Sequence, residues 1–136
     1  MNSGVAFTLP DTITITQVSP GLLNFAQHAD FSSIAADSPA KAGESIHLYL
    51  VGMGATSPTV ASGDAAPGAP FATASVQPVV TIGGSMAAVS FAGLTPGAVG
   101  LYQIDAEVPS DAAPGDARVT VTQNGSASNT ITIPVQ

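Results

Sequence analysis

The segment Val89–Pro109, VSFAGLTPGAVGLYQIDAEVP, decides how the chain reads. Val89 and Phe91 end one apolar strand, Gly93-Leu94-Thr95-Pro96-Gly97 makes a tight corner, and Leu101-Tyr102 opens a strand over residues 100–108. Pro96 and the flanking glycines break any helical pattern, so the segment reads as strand, corner, strand. A strand that changes sheets leaves backbone groups without ladder partners, and a phenol can satisfy one while its ring fills core. The expectation is a corner that carries the chain between sheets, with the Tyr102 hydroxyl bonded to backbone near residues 93–97.

Outward from this corner, strands continue in both directions. Residues 77–82 and 85–91 flank Gly83-Gly84, the signature of a two-residue hairpin with both central residues at positive φ. Residues 117–123 and 128–135 flank Asn124-Gly125, a second hairpin signal. There Val119, Val121, Ile131, Ile133 and Val135 alternate inward, while Thr120, Thr122, Thr130 and Thr132 face outward. Residues 44–52 (ESIHLYLVG) read as a central strand, with Ile46, Leu48 and Leu50 on one face and His47, Tyr49 and Val51 on the other. Thr12-Ile13-Thr14-Ile15-Thr16 alternates strictly and reads as a half-buried strand, with residues 1–10 a separate N-terminal arm beyond Pro10. Residues 22–43 show no period, so Leu22, Leu23, Phe25, Phe31 and Ile34 are expected to pin an irregular excursion. Residues 53–75 are rich in Gly, Ala, Pro, Ser and Thr and read as a long, exposed loop, the kind of segment that carries contacts.

This gives about seven strands, no 3.6-residue apolar stripe and eleven scattered prolines in 136 residues. The expected architecture is all-β, a single domain over 1–136 built as an immunoglobulin-like or fibronectin III-like β-sandwich. Five Phe, two Tyr and no Trp leave the core to small β-branched side chains.

Composition excludes several functions. Lys41 and Arg118 are the only basic residues, against nine acidic ones, for a net charge of -7. No phosphate-neutralising surface can be built from two cations, which argues against nucleic acid and anionic membranes as partners. No run of about 18 apolar residues spans a membrane. There is no Cys, hence no disulfide framework and no thiolate metal site. MNSGVAFTLP lacks the basic and apolar regions of a signal peptide, so an exported native protein would be expected to begin upstream of Met1.

The Leu94-Thr95-Pro96-Gly97 turn followed by Tyr102 resembles the tyrosine corner of fibronectin type III and related sandwiches. A wider set of residues resembles the uncharacterised C-terminal domain of large secreted acidobacterial proteins, the Solibacter-type domain. These are Val18-Ser19-Pro20-Gly21, Gly43-Glu44-x-Ile46 with Tyr49, Gly52-x-Gly54, Val80-Thr81-Ile82-Gly83-Gly84, Phe91-Ala92-Gly93-Leu94-x-Pro96-Gly97-x-x-Gly100-Leu101-Tyr102-Gln103-Ile104, Val108-Pro109, and Ser128-Asn129 with Ile133-x-Val135-Gln136. The resemblance covers residues 15–136. It implies a modular, exported β-sandwich that often ends a longer chain, with Gln136 as a native C-terminus and no catalytic residues to carry over.

Candidate sites are few. His28 and His47 share no ligand spacing, and a zinc site wants about four converging ligands. No Gly-x-Ser-x-Gly elbow is present. Asp105 and Glu107 share a strand face about 7 Å apart, which suits a solvated face better than a glycosidase pair. Asp64, Asp111 and Asp116 border loops without an Asp-x-Asp run, short of the six or so oxygens calcium needs. Lys41, in a loop, is poorly placed for an internal isopeptide crosslink. The Thr ladders read as a polar sheet face stabilised by cross-strand pairs. No catalytic, metal or cofactor residue is assigned. The expected function is a non-catalytic structural or adhesive module, extracellular or at the cell surface. Its partners are a protein or neighbouring domains, or a second copy recruited by strand addition through residues 5–18. The alternative is a carbohydrate-binding module contacting glycan through Tyr49 and Phe71, which weakens if Tyr49 and Tyr102 are both buried.

Overall fold

A computed structural model describes residues 19–60, 63–68 and 71–136. The strand at 12–16 and the arm at 1–10 lie outside the described residues. Within them the chain is all-β, with ten antiparallel strands and no helix. The order along the chain is β1 (Gly21–His28), β2 (Ser45–Val51), β3 (Thr56–Ser57), β4 (Thr73–Ala74), β5 (Pro78–Ile82), β6 (Ser85–Leu94), β7 (Tyr102–Glu107), β8 (Gly115–Gln123), β9 (Ser126–Ala127) and β10 (Ile131–Val135). Seven of these have five residues or more.

The strands form one curled sheet in the order β1-β2-β7-β6-β5-β8-β10. Its two halves meet in β6, whose residues 85–87 pair with β5 and whose residues 88–94 pair with β7. The inward faces close on one core. Ile46, Leu48, Leu50 and Ile104 come from one half, and Val80, Ile82, Val119, Val121, Ile131 and Ile133 from the other. The expected alternation of β2 and of the 117–135 hairpin thus places the expected residues inside. Both turns have the anticipated backbone, with φ of 63° and 87° at Gly83 and Gly84 and of 47° and 82° at Asn124 and Gly125.

Three expectations need correction. Residues 21–28 form β1, where an irregular excursion was expected. Leu22 pairs with Leu50 and Ala26 with Leu48, so β1 advances four residues while β2 advances two. The bulge takes the residues between Leu22 and Ala26 out of the pairing and leaves Asn24 and Phe25 exposed. Second, the 93–101 corner does not change sheets. Leu94 pairs with Tyr102 and Gly93 with Gln103, so β6 and β7 form a hairpin within one half, and the transfer between halves occurs inside β6. Third, the Tyr102 hydroxyl donates to the carbonyl of Gly54, 2.5 Å away, instead of to residues 93–97. The peg fastens the long connection to the sheet.

That connection, 53–75, is also less free than expected. Met53, Ala66, Ala72 and Ala74 are buried, β3 pairs with β4, and β4 reaches β6 at Gly93. A Cβ on Gly93 would stand 2.2 Å from the Ala72 carbonyl oxygen, so the close crossing requires glycine there. Buried Gln123 donates its Nε2 to the carbonyls of Met53 and Val76, tying both ends of the connection to β8.

The outer strands of the path are closed against each other. Asn129 imitates a neighbouring strand at Leu22: its Oδ1 accepts from the Leu22 N–H (2.8 Å) and its Nδ2 donates to the Leu22 carbonyl (3.1 Å). On β10, the Ala40 N–H donates to Pro134 and the Ala40 carbonyl accepts from Gln136. Backbone groups that would template another strand are engaged at these positions.

Candidate functional site

The outward face of β1, β2, β7 and β6 carries side chains unlike an ordinary solvated sheet face. Cross-strand pairing aligns Gln27, His47, Asp105 and Phe91 in one row, with Tyr49, Gln103 and Gly93 in the next. Phe91 owes its place to a bulge. Val89 pairs with Ala106 and Phe91 with Asp105, so the extra residue reverses the parity and aims Phe91 outward while Ala92 is buried.

Two connections complete a groove of about 660 Å³ lined by Phe31, Tyr49, Phe71, Ser90, Phe91, Thr95, Pro96, Gln103 and Asp105. Phe31 stands at one wall, 59% exposed, its ring stacked on His47 at 4.5 Å and 11°. Its backbone has φ 70°, a left-handed conformation that a bulky residue adopts only when the surroundings impose it. The imposing contacts are a tight turn, with Phe31 N–H bonded to the His28 carbonyl and Ser32 N–H and hydroxyl bonded to Asp30. Those bonds hold the Asp30 carboxyl below its ordinary range. Phe71, 51% exposed, forms the opposite wall and meets Phe91 edge-on at 5.6 Å. Phe25 stacks on Tyr49 at 5.3 Å, outside the groove proper.

The floor is polar. Asp105 Oδ1 accepts from His47 Nδ1 (2.6 Å) and from Gln103 Nε2 (2.7 Å). Tyr49 donates to Gln27 Oε1 at 2.8 Å; burial, reinforced by the Asp105 charge, raises its pKa above the ordinary phenol value. His47 Nε2 lies 3.4 Å from the Ala29 carbonyl, so the His47–Asp105 pair points at backbone and at the Phe31 ring, not at a hydroxyl that it could activate. No Lys or Arg lines the groove. The arrangement offers ring faces at the walls and hydrogen-bond acceptors on the floor, which suits binding.

The other candidates are dispersed. His28 sits at the end of β1, bonded through Nδ1 to Glu44 and through Nε2 to the Ser38 carbonyl and hydroxyl (3.0 Å each). The Glu44 bond, chiefly, raises its pKa, with burial opposing. Glu107 is exposed, and Asp105 has turned to His47 and Gln103. Asp64 and Asp116 are exposed, and Asp111 accepts a long bond from Ser85. Among the described residues no three His, Cys, Asp or Glu side chains converge as a metal would require. The Thr120 and Thr130 hydroxyls meet across strands at 3.0 Å, a polar-face pair as expected.

Of the two aromatics expected to meet a glycan, both line the groove, Phe71 as an exposed wall and Tyr49 with only 7% of its surface exposed. Tyr102 is half-buried and bonded away from the groove. Phe31, Phe91, Gln103 and Asp105 were not anticipated as one site. The available signal was the outward register of β2 and β7, where His47, Tyr49, Gln103 and Asp105 stand opposite the core positions.

No helix of the described residues is long and apolar enough to cross a membrane. No family model, curated protein or solved structure matches the chain.

Proposed function

We propose that the chain is a non-catalytic adhesive module of an exported bacterial protein, an immunoglobulin-like β-sandwich that makes its contact through the groove over β2, β7 and β6. One observation carries this reading: Phe31 and Phe71, each more than half exposed, stand over one polar floor formed by Gln103 and Asp105. Concave sites with apolar walls and a few placed polar groups are where proteins take ligands. The sandwich assignment draws support from the single core gathered between the two halves of the sheet. Export, an extracellular or cell-surface location and membership of the Solibacter-type domains rest on the sparse charge and the residue pattern from Val18 to Gln136. Contact through the groove is preferred over strand addition because Asn129 and Ala40 engage backbone of β1 and β10.

Fluorescently labelled protein incubated with washed bacterial cells and with insoluble plant and fungal wall material tests this. Wild type is expected to be retained on at least one surface, and the Phe31→Ala/Phe71→Ala double variant at least tenfold less. Retention on none, or equal retention of the variant, would remove the proposal.

A further inference from the structure

The chemistry of the groove narrows its occupant. With no Lys or Arg in its lining and Asp105 on its floor, the groove repels phosphate, sulfate and carboxylate ligands. A purely apolar occupant would strip water from the Asp105 and Gln103 side chains and return no hydrogen bond, which is costly. The two donors on Asp105 Oδ1 temper its pull on a cation and leave Oδ2 as the acceptor for a hydroxyl. What remains is a neutral molecule with a flat apolar face and hydroxyl donors at its edge.

From this we infer that the groove binds a neutral glycan, one pyranose lying against Phe31 while its hydroxyls donate to Asp105 and Gln103. The C–H face of a pyranose matches an aromatic wall, and its equatorial hydroxyls match acceptors on the floor. Phe31 fits the same account: a strained, largely exposed ring held by the Asp30–Ser32 turn is a preorganised wall, built before ligand arrives. About 660 Å³ is roomy enough for more than one sugar unit, so a chain should bind better than a monosaccharide.

The inference rests on the adhesive reading and assigns its ligand class. Native affinity electrophoresis tests it, with gels containing hydroxyethylcellulose, arabinoxylan, galactomannan or, as the anionic comparison, polygalacturonate. At least one neutral polymer is expected to retard the wild type, with polygalacturonate without effect. Phe31→Ala and Asp105→Ala should each weaken that retardation at least tenfold, and Met86→Ser, an exposed site remote from the groove, should leave it intact. Phe31 projects from a surface turn, so its loss leaves the core untouched and keeps the test independent of folding. Three outcomes would overturn the inference: no retardation by any neutral polymer, retardation unchanged in Phe31→Ala, or binding of glycine betaine in place of the polymers. If groove-dependent retention on cells persists while every neutral polymer fails, the ligand class falls and the adhesive reading stands.

Discussion

Two hydroxyls beside the 94–102 hairpin have opposite fates. Tyr102 donates to Gly54 and holds the 53–75 connection against β7, and burial raises its pKa. Thr95 Oγ1 is buried with no partner among the described residues. Removing a bonded buried hydroxyl costs about 1 kcal/mol, whereas removing an unpartnered one is neutral or favourable. Tyr102→Phe is therefore expected to lower the urea midpoint and to speed amide exchange at residues 53–55. Thr95→Val should leave the midpoint unchanged or raise it. Parallel urea denaturation of the two variants checks this; a Thr95→Val loss as large as that of Tyr102→Phe would contradict it. The corner motif was legible as a motif, with Tyr102 as its peg. Its destination was not, because the Gly54 carbonyl lies 48 positions away and no local spacing encodes that meeting.

At the scale of elements, strands announced themselves where alternation and turn chemistry agreed. Gly83-Gly84 fixes the register of β5 on β6 and Asn124-Gly125 that of β8 on β9, and Ile46, Leu48 and Leu50 mark the core face of β2. β1 escaped because its apolar residues fall on both parities, Leu22 and Ala26 on one and Leu23 and Phe25 on the other, with Asn24 between them exposed where the bulge interrupts pairing, so no alternation shows. The end of β1 is clamped by His28, which joins Glu44 and Ser38 from the following connection. The fold holds the His28 proton more tightly than the unfolded chain does. The clamp's contribution is thus complete below about pH 6.5, the ordinary histidine value, and is lost as pH rises through the raised folded value. His28 is close to the surface, so the effect should stay within about 1 kcal/mol. Thermal melts of wild type and His28→Gln between pH 6 and 9 should show a gap that narrows with rising pH. A gap that widens would contradict the clamp.

For the whole molecule, the curl of the sheet around β6 determines what the sequence hides. One half of the core is nearly readable from alternation, but the groove draws Phe31, Tyr49, Phe71, Phe91, Gln103 and Asp105 from separate segments. Phe31 and Phe91, each met alone, read as apolar contacts of the body. The bulge in β6 turns Phe91 outward, and the strained turn at Phe31 carries that ring to the surface. Bulges are irregularities of pairing, and pairing partners are remote in sequence. The consequence is a chain whose architecture can be anticipated from its turns, while its groove emerges only when the strands are side by side.

On the proposed function this groove meets the ligand, and the sheet edges and the 110–116 loop do not. An amide and side-chain NMR titration of the 15N-labelled protein with cellohexaose, xylohexaose and mannohexaose in turn tests it most directly. With at least one hexasaccharide, the largest shifts should fall on the Phe31 and Phe91 amides and the Gln103 side-chain NH2, and they should vanish in Phe31→Ala. Shifts centred on β1, β10 or residues 110–116, or no shift with any of the three, would contradict the account.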